Sequence, residues 1–214
     1  MFITFEGPEG SGKSSQVRAL VKQLRRGGRR AVFLRDPGST ALGRSLRRAL
    51  LHTATPLSPL AEALLFIGGR VALVDERIKP ALAQGRVVVC DRFHDSTIAY
   101  QGFGGGLDPV WLDRLGRRAI GGLMPNLTVL LDLSVEQGFA RLRRPRDRME
   151  RKQRDFHRRV RAGFLALAKR EPRRFAVVDA SPSPVEVKRQ IESVVFGRLK
   201  ALAPSPQPTA PSRI

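Results

Sequence analysis

Two stretches of this chain carry side chains whose types and spacing can do chemistry, and a third supports them. Gly7-Pro8-Glu9-Gly10-Ser11-Gly12-Lys13-Ser14 is a G-x-x-x-x-G-K-S loop between the apolar run Phe2–Phe5 and a segment of helical period. In that context the backbone N–H groups of the turn and the positive end of the helix can surround a polyphosphate. Lys13 can then reach its outer phosphates and Ser14 can ligate Mg2+. A nucleoside triphosphate and magnesium are the expected ligands, but the loop does not name the reaction, because phosphoryl transferases, switches and motors share it. Glu9 would be repelled by a triphosphate; its carboxylate suits a hydrogen bond from a sugar hydroxyl of a second substrate.

The second stretch, CDRFHDSTIAYQG at 90–102, turns polar at Asp91 and Arg92 directly after a run of valines. Strand ends of an open α/β sheet converge on the binding crevice, so Asp91 is expected beside the phosphate loop, holding magnesium directly or through water. Successive residues leaving a strand point different ways, which lets Arg92 turn toward another anion. Phosphoryl transfer needs acceptor positioning and charge neutralisation, work suited to forked guanidinium donors. The candidates are Arg35, Arg70, Arg92 and the cluster Arg141, Arg143, Arg144, Arg146 and Arg148. The supporting stretch is LLFIGGR, where Phe66 and Arg70 lie four apart and share a helix side: a ring to stack on a base and a guanidinium to bond its edge. Taken alone, Phe66 reads more readily as core than as a stacking ring. Gly68 and Gly69 weaken that helix but admit a close neighbour.

The elements that must position these groups alternate. Apolar runs at Phe2–Phe5, Ala31–Leu34, Val87–Cys90, Leu127–Leu131 and Phe175–Val178 read as five buried parallel strands. Helical periods fall at 14–26, 42–51, 60–83, 110–121, 135–142, 149–170 and 184–202, the last with Ser183 as its cap. The expected fold is α/β, a parallel sheet covered on both faces. One domain over 1–202 is expected, followed by a Pro-rich, disordered tail at 203–214.

No stretch approaches the length of a membrane span, and the chain opens on strand-like sequence, so a cytoplasmic protein is the simplest expectation. Cys90 is the single cysteine and reads as a small core residue. The net charge of +20 could attract nucleic acid, anionic membrane or phosphorylated small molecules. The arginines are dispersed in RRGGRR, RSLRR and 141–161, which reads as a basic surface, and no nucleic-acid module is recognisable. His52, His94 and His157 are assigned no catalysis.

Taken in order, Gly7–Ser14, LRDPGST (34–40), ALLFIGGR (63–70), VVVCDRFHDSTIAYQG (87–102), LDL (131–133) and DRME…FHRRVRAGFLALA (147–168) resemble the bacterial thymidylate kinases over residues 1 to 195. The D-R-F-x-D-S-T-x-A-Y-Q-G block is far more specific than the phosphate loop. The resemblance implies a P-loop kinase fold, a three-layer α/β/α sandwich with a short arginine-rich lid, usually homodimeric. It implies γ-phosphoryl transfer from ATP to dTMP, with no membrane or nucleic-acid partner. It assigns the ATP phosphates to Gly7–Ser14, with Lys13 as electrostatic clamp and Ser14 and Asp91 on the metal side. It turns Glu9 toward the acceptor sugar, gives the dTMP phosphate to Arg35 and Arg92, stacks the base on Phe66 and sets Arg70 and Thr97 against thymine. Tyr100 packs on the deoxyribose; Ser96 and Gln101 of the same block line the acceptor side. Arg146 and Arg148 are the lid arginines expected near the transferring group.

Several residues depart from the family's pattern. Asp36 and Ser39 stand in a segment commonly R-E-P-G-G-T, so the acid is one methylene shorter. FIGGR replaces F-A-A-D-R, losing an acid beside Arg70, and the lid segment RRPRDR is short. The alternatives are a deoxynucleoside kinase, which also pairs such a loop with an acid and an arginine, and a noncatalytic or nucleic-acid-binding ATP protein.

Overall fold

The structure, a computed structural model, describes residues 1–52, 56–142 and 147–201. The strands β1 (Phe2–Glu6), β2 (Ala31–Arg35), β3 (Val87–Asp91), β4 (Leu127–Asp132) and β5 (Phe175–Asp179) form one all-parallel sheet in the order β2-β3-β1-β4-β5. Each runs one residue beyond its apolar run, because the ladder continues beneath the first polar residue. Arg35 pairs in register with Asp91, and Asp132 with Asp179.

The helices are α1 (Lys13–Arg26), α2 (Ala41–His52), α3 (Pro59–Leu73), α4 (Lys79–Ala83), α5 (His94–Thr97), α6 (Pro109–Ala119), α7 (Val135–Ala140), α8 (Arg154–Arg170) and α9 (Pro184–Ala201). Two π-helical segments, Val74–Ile78 and Ile98–Gly104, join α3 to α4 and extend α5. Alternating strand residues face opposite layers. Ile3, Phe5, Val89, Val129 and Leu131 pack with α1 and α9, while Phe2, Val88, Cys90 and Leu130 meet the helices of the other face. Burying each large apolar side chain contributes roughly 1.5–3 kcal/mol, so a sheet covered on both sides needs almost uninterrupted apolar strands. Cys90 is fully buried among them.

Three helices differ from their expected limits for local reasons. The span expected at 60–83 is broken by the π segment just before Pro80, whose missing N–H cannot continue an α ladder. The helix expected from 149 starts at Arg154, because residues 147–150 close their own turn: Asp147 N donates to Glu150 Oε2 and Glu150 N to Asp147 Oδ1, each at 3.0 Å. Helix α7 stops at Ala140, two residues early. The 94–104 segment, given chemical roles but no element by the pattern, is helical throughout. Ser183 caps α9 as expected, its backbone N–H returning to Glu186 in a reciprocal box. Ser58 and Asp108 cap α3 and α6 by accepting from Ala61 N and Val110 N, with Pro59 and Pro109 at the first helical positions. Gly69 earns its place in packing, since a Cβ there would meet Leu46 Cδ1 of α2 at 3.0 Å.

Candidate active site

A cleft of 710 Å³ opens where β1, β2 and β3 end. The order of the sheet reverses at β1, so the connections leaving β1 and β3 run to different sides and leave the crevice between them. Of the candidates, Glu9, Gly10, Gly12, Lys13, Ser14, Arg35, Phe66, Arg70, Asp91, Arg92, Ser96, Thr97, Tyr100, Gln101 and Arg141 line it. Gly7, Pro8 and Ser11 do not line it; their oxygens accept from the Lys13 ammonium. Arg143, Arg144, Arg146 and the tail at 203–214 lie outside the described residues.

The loop's path depends on glycine where the backbone is left-handed. Gly10 has φ 72°, and a Cβ on it would fall 2.0 Å from the carbonyl oxygen of Gly138 in α7. Lys13 curls over this loop, its Nζ donating to Gly7 O (2.9 Å), Pro8 O (2.7 Å) and Ser11 Oγ (3.2 Å). Burial, then the neighbouring Arg92, lowers its ammonium pKa to about 8. Next to it, Ser14 Oγ donates to Asp91 Oδ2 at 2.6 Å, and Arg35 Nη2 approaches the same carboxylate oxygen at 3.2 Å and Ser14 Oγ at 3.3 Å. One side of the cleft therefore gathers an ammonium, a hydroxyl and a carboxylate around the loop.

The other side is organised by Arg92. Its backbone sits at φ 68°, an uncommon conformation for a residue with a side chain, which swings the guanidinium away from Asp91. It donates to Gly7 O (3.2 Å), Ser96 Oγ (3.2 Å), Glu9 Oε1 (2.9 Å) and Tyr100 Oη (3.0 Å), and stacks 4.9 Å from the Tyr100 ring centre. Tyr100 Oη donates to Glu9 Oε1. Burial pushes the Glu9 carboxyl up, but Arg92 and Lys13 outweigh it and hold the pKa at about 2. Glu9 is thus an anionic acceptor held on the side away from Ser14 and Asp91.

Arg70 lies below, 1% exposed. Its Nε donates to Asp36 Oδ2 at 2.6 Å and its Nη2 to Thr97 Oγ1 at 2.9 Å, so the shorter acid at 36 does reach its partner. Arg70 Nη1 and Asp36 Oδ1 are buried without a hydrogen-bond partner among the described residues. Phe66 is half-buried, packing on the core while its remaining surface lines the cleft.

Arg148 does not line the cleft. Its Nε donates to Leu50 O (2.7 Å) and its Nη1 to Glu62 Oε1 (2.7 Å), fastening the segment after the lid to α2 and α3. Arg47 and Arg151, which no pattern singled out, line the cleft instead. His94 is enclosed against Gly116 and bonded to Asp113 at 2.9 Å; burial lowers its pKa, and its role is packing.

Glu6 was missed because it follows the apolar run; the signal was an acid ending a strand. It is fully buried, its Oε1 accepting Phe93 N–H at 2.8 Å and its Oε2 the Ser96 hydroxyl, so it shapes the turn that carries Arg92. Burial, then Asp95, raises its pKa to about 8. Folding therefore takes up a proton between the unfolded value near 4.5 and about pH 8. Stability from this group is present at low pH and is lost as pH rises through that window, by up to about 1.4 kcal/mol per pH unit. Melting temperatures of Glu6→Gln from pH 5 to 8 should show a flatter profile than the unmodified chain; parallel profiles would refute the assignment.

The chain is similar to known proteins over nearly its whole length. Residues 5–191 match the family model described as thymidylate kinase. A thymidylate kinase of Synechococcus sp. (strain JA-3-3Ab) is 52% identical over 206 residues, 96% of this chain and 100% of its own. That of Deinococcus radiodurans is 45% identical over 200 residues, 92% and 97%. The crystal structure of thymidylate kinase from Ehrlichia chaffeensis superimposes with a TM-score of 0.75 at 36% identity, covering 91% of this chain and 98% of that one.

Proposed function

The chain belongs to the thymidylate kinase family, and on that premise we propose that it transfers the γ-phosphoryl group of ATP to dTMP, giving ADP and dTDP for dTTP synthesis. The observation that carries the reading is a pair of cations set in one cleft, Lys13 folded over the phosphate loop's own oxygens and Arg92 reaching from the end of β3 to Glu9, Ser96 and Tyr100. A kinase for a monophosphate needs both, because donor and acceptor phosphates must be held in line while their charge is neutralised.

We assign the roles from the family resemblance and the contacts together, with Arg35 leaving Asp91 and Ser14 for the acceptor phosphate. The loop from Gly7 to Ser14 holds the ATP phosphates, and Lys13 exchanges its carbonyl partners for phosphate oxygens. Arg35 and Arg92 grip the dTMP phosphate. Glu9 accepts from the sugar hydroxyl, and Tyr100, fixed by Glu9 and Arg92, packs on the deoxyribose. Phe66 stacks on the base, and Arg70, whose buried Nη1 lacks a hydrogen-bond partner among the described residues, donates to a base carbonyl beside Thr97. The Ser14 hydroxyl and Asp91 carboxylate fit Mg2+: they are hard oxygens 2.6 Å apart at the loop. Among the described residues no group of three His, Cys, Asp or Glu could cage an ion, in keeping with a cation held mainly by nucleotide phosphates. Bound there, magnesium would neutralise phosphate charge. One kinase domain over 1–202 accounts for every role.

A homodimer in the cytoplasm is the proposed form. Leu60 and Leu64 of α3 and Val110 and Trp111 of α6 are 43–51% exposed on two helices packed together, an apolar face that a second copy would cover. Leu64→Arg should halve the mass seen by sedimentation; an unchanged dimer would place the interface elsewhere. Among the described residues no helix is long and apolar enough to cross a membrane.

Comparing thymidine with dTMP as acceptors tests the reading against a deoxynucleoside kinase. With Arg35 and Arg92 holding a phosphate, dTMP should be phosphorylated and thymidine should bind roughly 100-fold more weakly, the worth of two charge-assisted contacts. Phosphorylation of thymidine but not dTMP would overturn it.

A further inference from the structure

Glu62 stands in the first turn of α3, 1% exposed, with three donors on its carboxylate. Arg148 Nη1 lies 2.7 Å from Oε1, Lys152 Nζ 3.2 Å from Oε1 and 3.4 Å from Oε2, and Gln101 Nε2 3.0 Å from Oε2. A carboxylate accepts and cannot donate, so the amide of Gln101 must give it the NH2 end. The carbonyl Oε1 is thereby turned from Glu62, and Gln101 is a wall residue of the cleft with Phe66, Arg70 and Thr97. Arg70 and Thr97 supply the donors of the same wall: Thr97 Oγ1 accepts from Arg70 Nη2 at 2.9 Å, which leaves its own O–H to donate. Donor beside acceptor is the complement of a pyrimidine with a 4-oxo group and an N3–H. A 4-amino pyrimidine presents the reverse pattern and would face donor with donor and acceptor with acceptor.

We propose that Glu62, which touches no substrate, is a specificity-determining positioning residue: by fixing the amide of Gln101 it selects 4-oxo over 4-amino pyrimidine monophosphates. The inference rests on the base-pocket reading above. Arg148 and Lys152 hold the acid in place, at 2.7 and 3.2 Å from its Oε1; without it their two cations would be left at the lid's exit with no counterion.

The test measures kcat/KM for dTMP, dUMP and dCMP with Glu62→Gln, in which the new carboxamide can donate to Gln101 Oε1 and reverse its amide. The dTMP to dCMP ratio should fall by roughly 10-fold, the scale of one reversed hydrogen bond, while the dTMP to dUMP ratio stays the same, since both share the 4-oxo, N3–H edge. Gln101→Leu should produce the same fall, and adding Glu62→Gln to it should change the ratio no further. If Glu62→Gln alone does not fold, Glu62→Gln with Lys152→Met removes one cation together with the acid. A purely structural Glu62 would lower turnover of all three acceptors together and leave the ratios untouched; that result, or a further fall in the Gln101→Leu background, overturns the proposal. Absence of dTMP turnover by the unmodified chain would instead overturn the base-pocket reading.

Discussion

Replacing Lys13 with alanine should lower turnover by about 10²–10³-fold, the loss typical of removing one preorganised donor from a site of developing negative charge. The fold should survive. Lys13 lies on the first turn of α1, its ammonium bonded to the loop's own oxygens, and its low pKa shows that the buried charge is held at a cost. Losing those bonds while relieving that cost should change stability by about 1 kcal/mol, a shift of roughly 2–4 °C in melting temperature for a chain of this size. Steady-state kinetics with a thermal melt checks both. Turnover within threefold of the unmodified chain would show that the ammonium does not meet the transferring group.

Arg92→Lys should damage the acceptor side selectively. A single ammonium cannot reproduce a fork that reaches Gly7 O, Ser96, Glu9 and Tyr100 and still take a phosphate. Glu9, whose low pKa depends on that guanidinium, loses its main partner as well. We expect kcat/KM for dTMP to fall about 100-fold, about 2.7 kcal/mol, with KM for ATP changed less than about threefold. Equal losses for both substrates would mean that Arg92 supports the whole cleft instead of gripping the acceptor.

The parts of this site readable from the chain were those built on backbone regularity. The phosphate loop has a spacing that leaves one geometry, and five apolar runs separated by helical periods leave a parallel sheet as the economical arrangement. Asp91 and Arg92 follow, because a strand end in such a sheet must reach the crevice. Tertiary pairings were less readable. Glu62 is one acid in an apolar helix until Arg148, Lys152 and Gln101, from 39 to 90 residues away, converge on it. Arg148 carried the same arginine signature as the lid, yet its fork is taken by Leu50 O and Glu62. Glu6 was concealed because apolar periodicity ends a strand at its last apolar residue, whereas the ladder continues through it. Asp36 is one methylene shorter than the acid common there, yet the approach of α3 to β2's end brings Arg70 within 2.6 Å of it.

The central claim is that one cleft holds two phosphates and passes a phosphoryl group between them. The most direct measurement is chromatographic: purified chain with γ-labelled ATP, magnesium and dTMP, followed for the label. The account predicts that the label moves into dTDP, with one unlabelled ADP formed for each labelled dTDP. Label appearing only in inorganic phosphate, or remaining in ATP while the protein is folded, would contradict it.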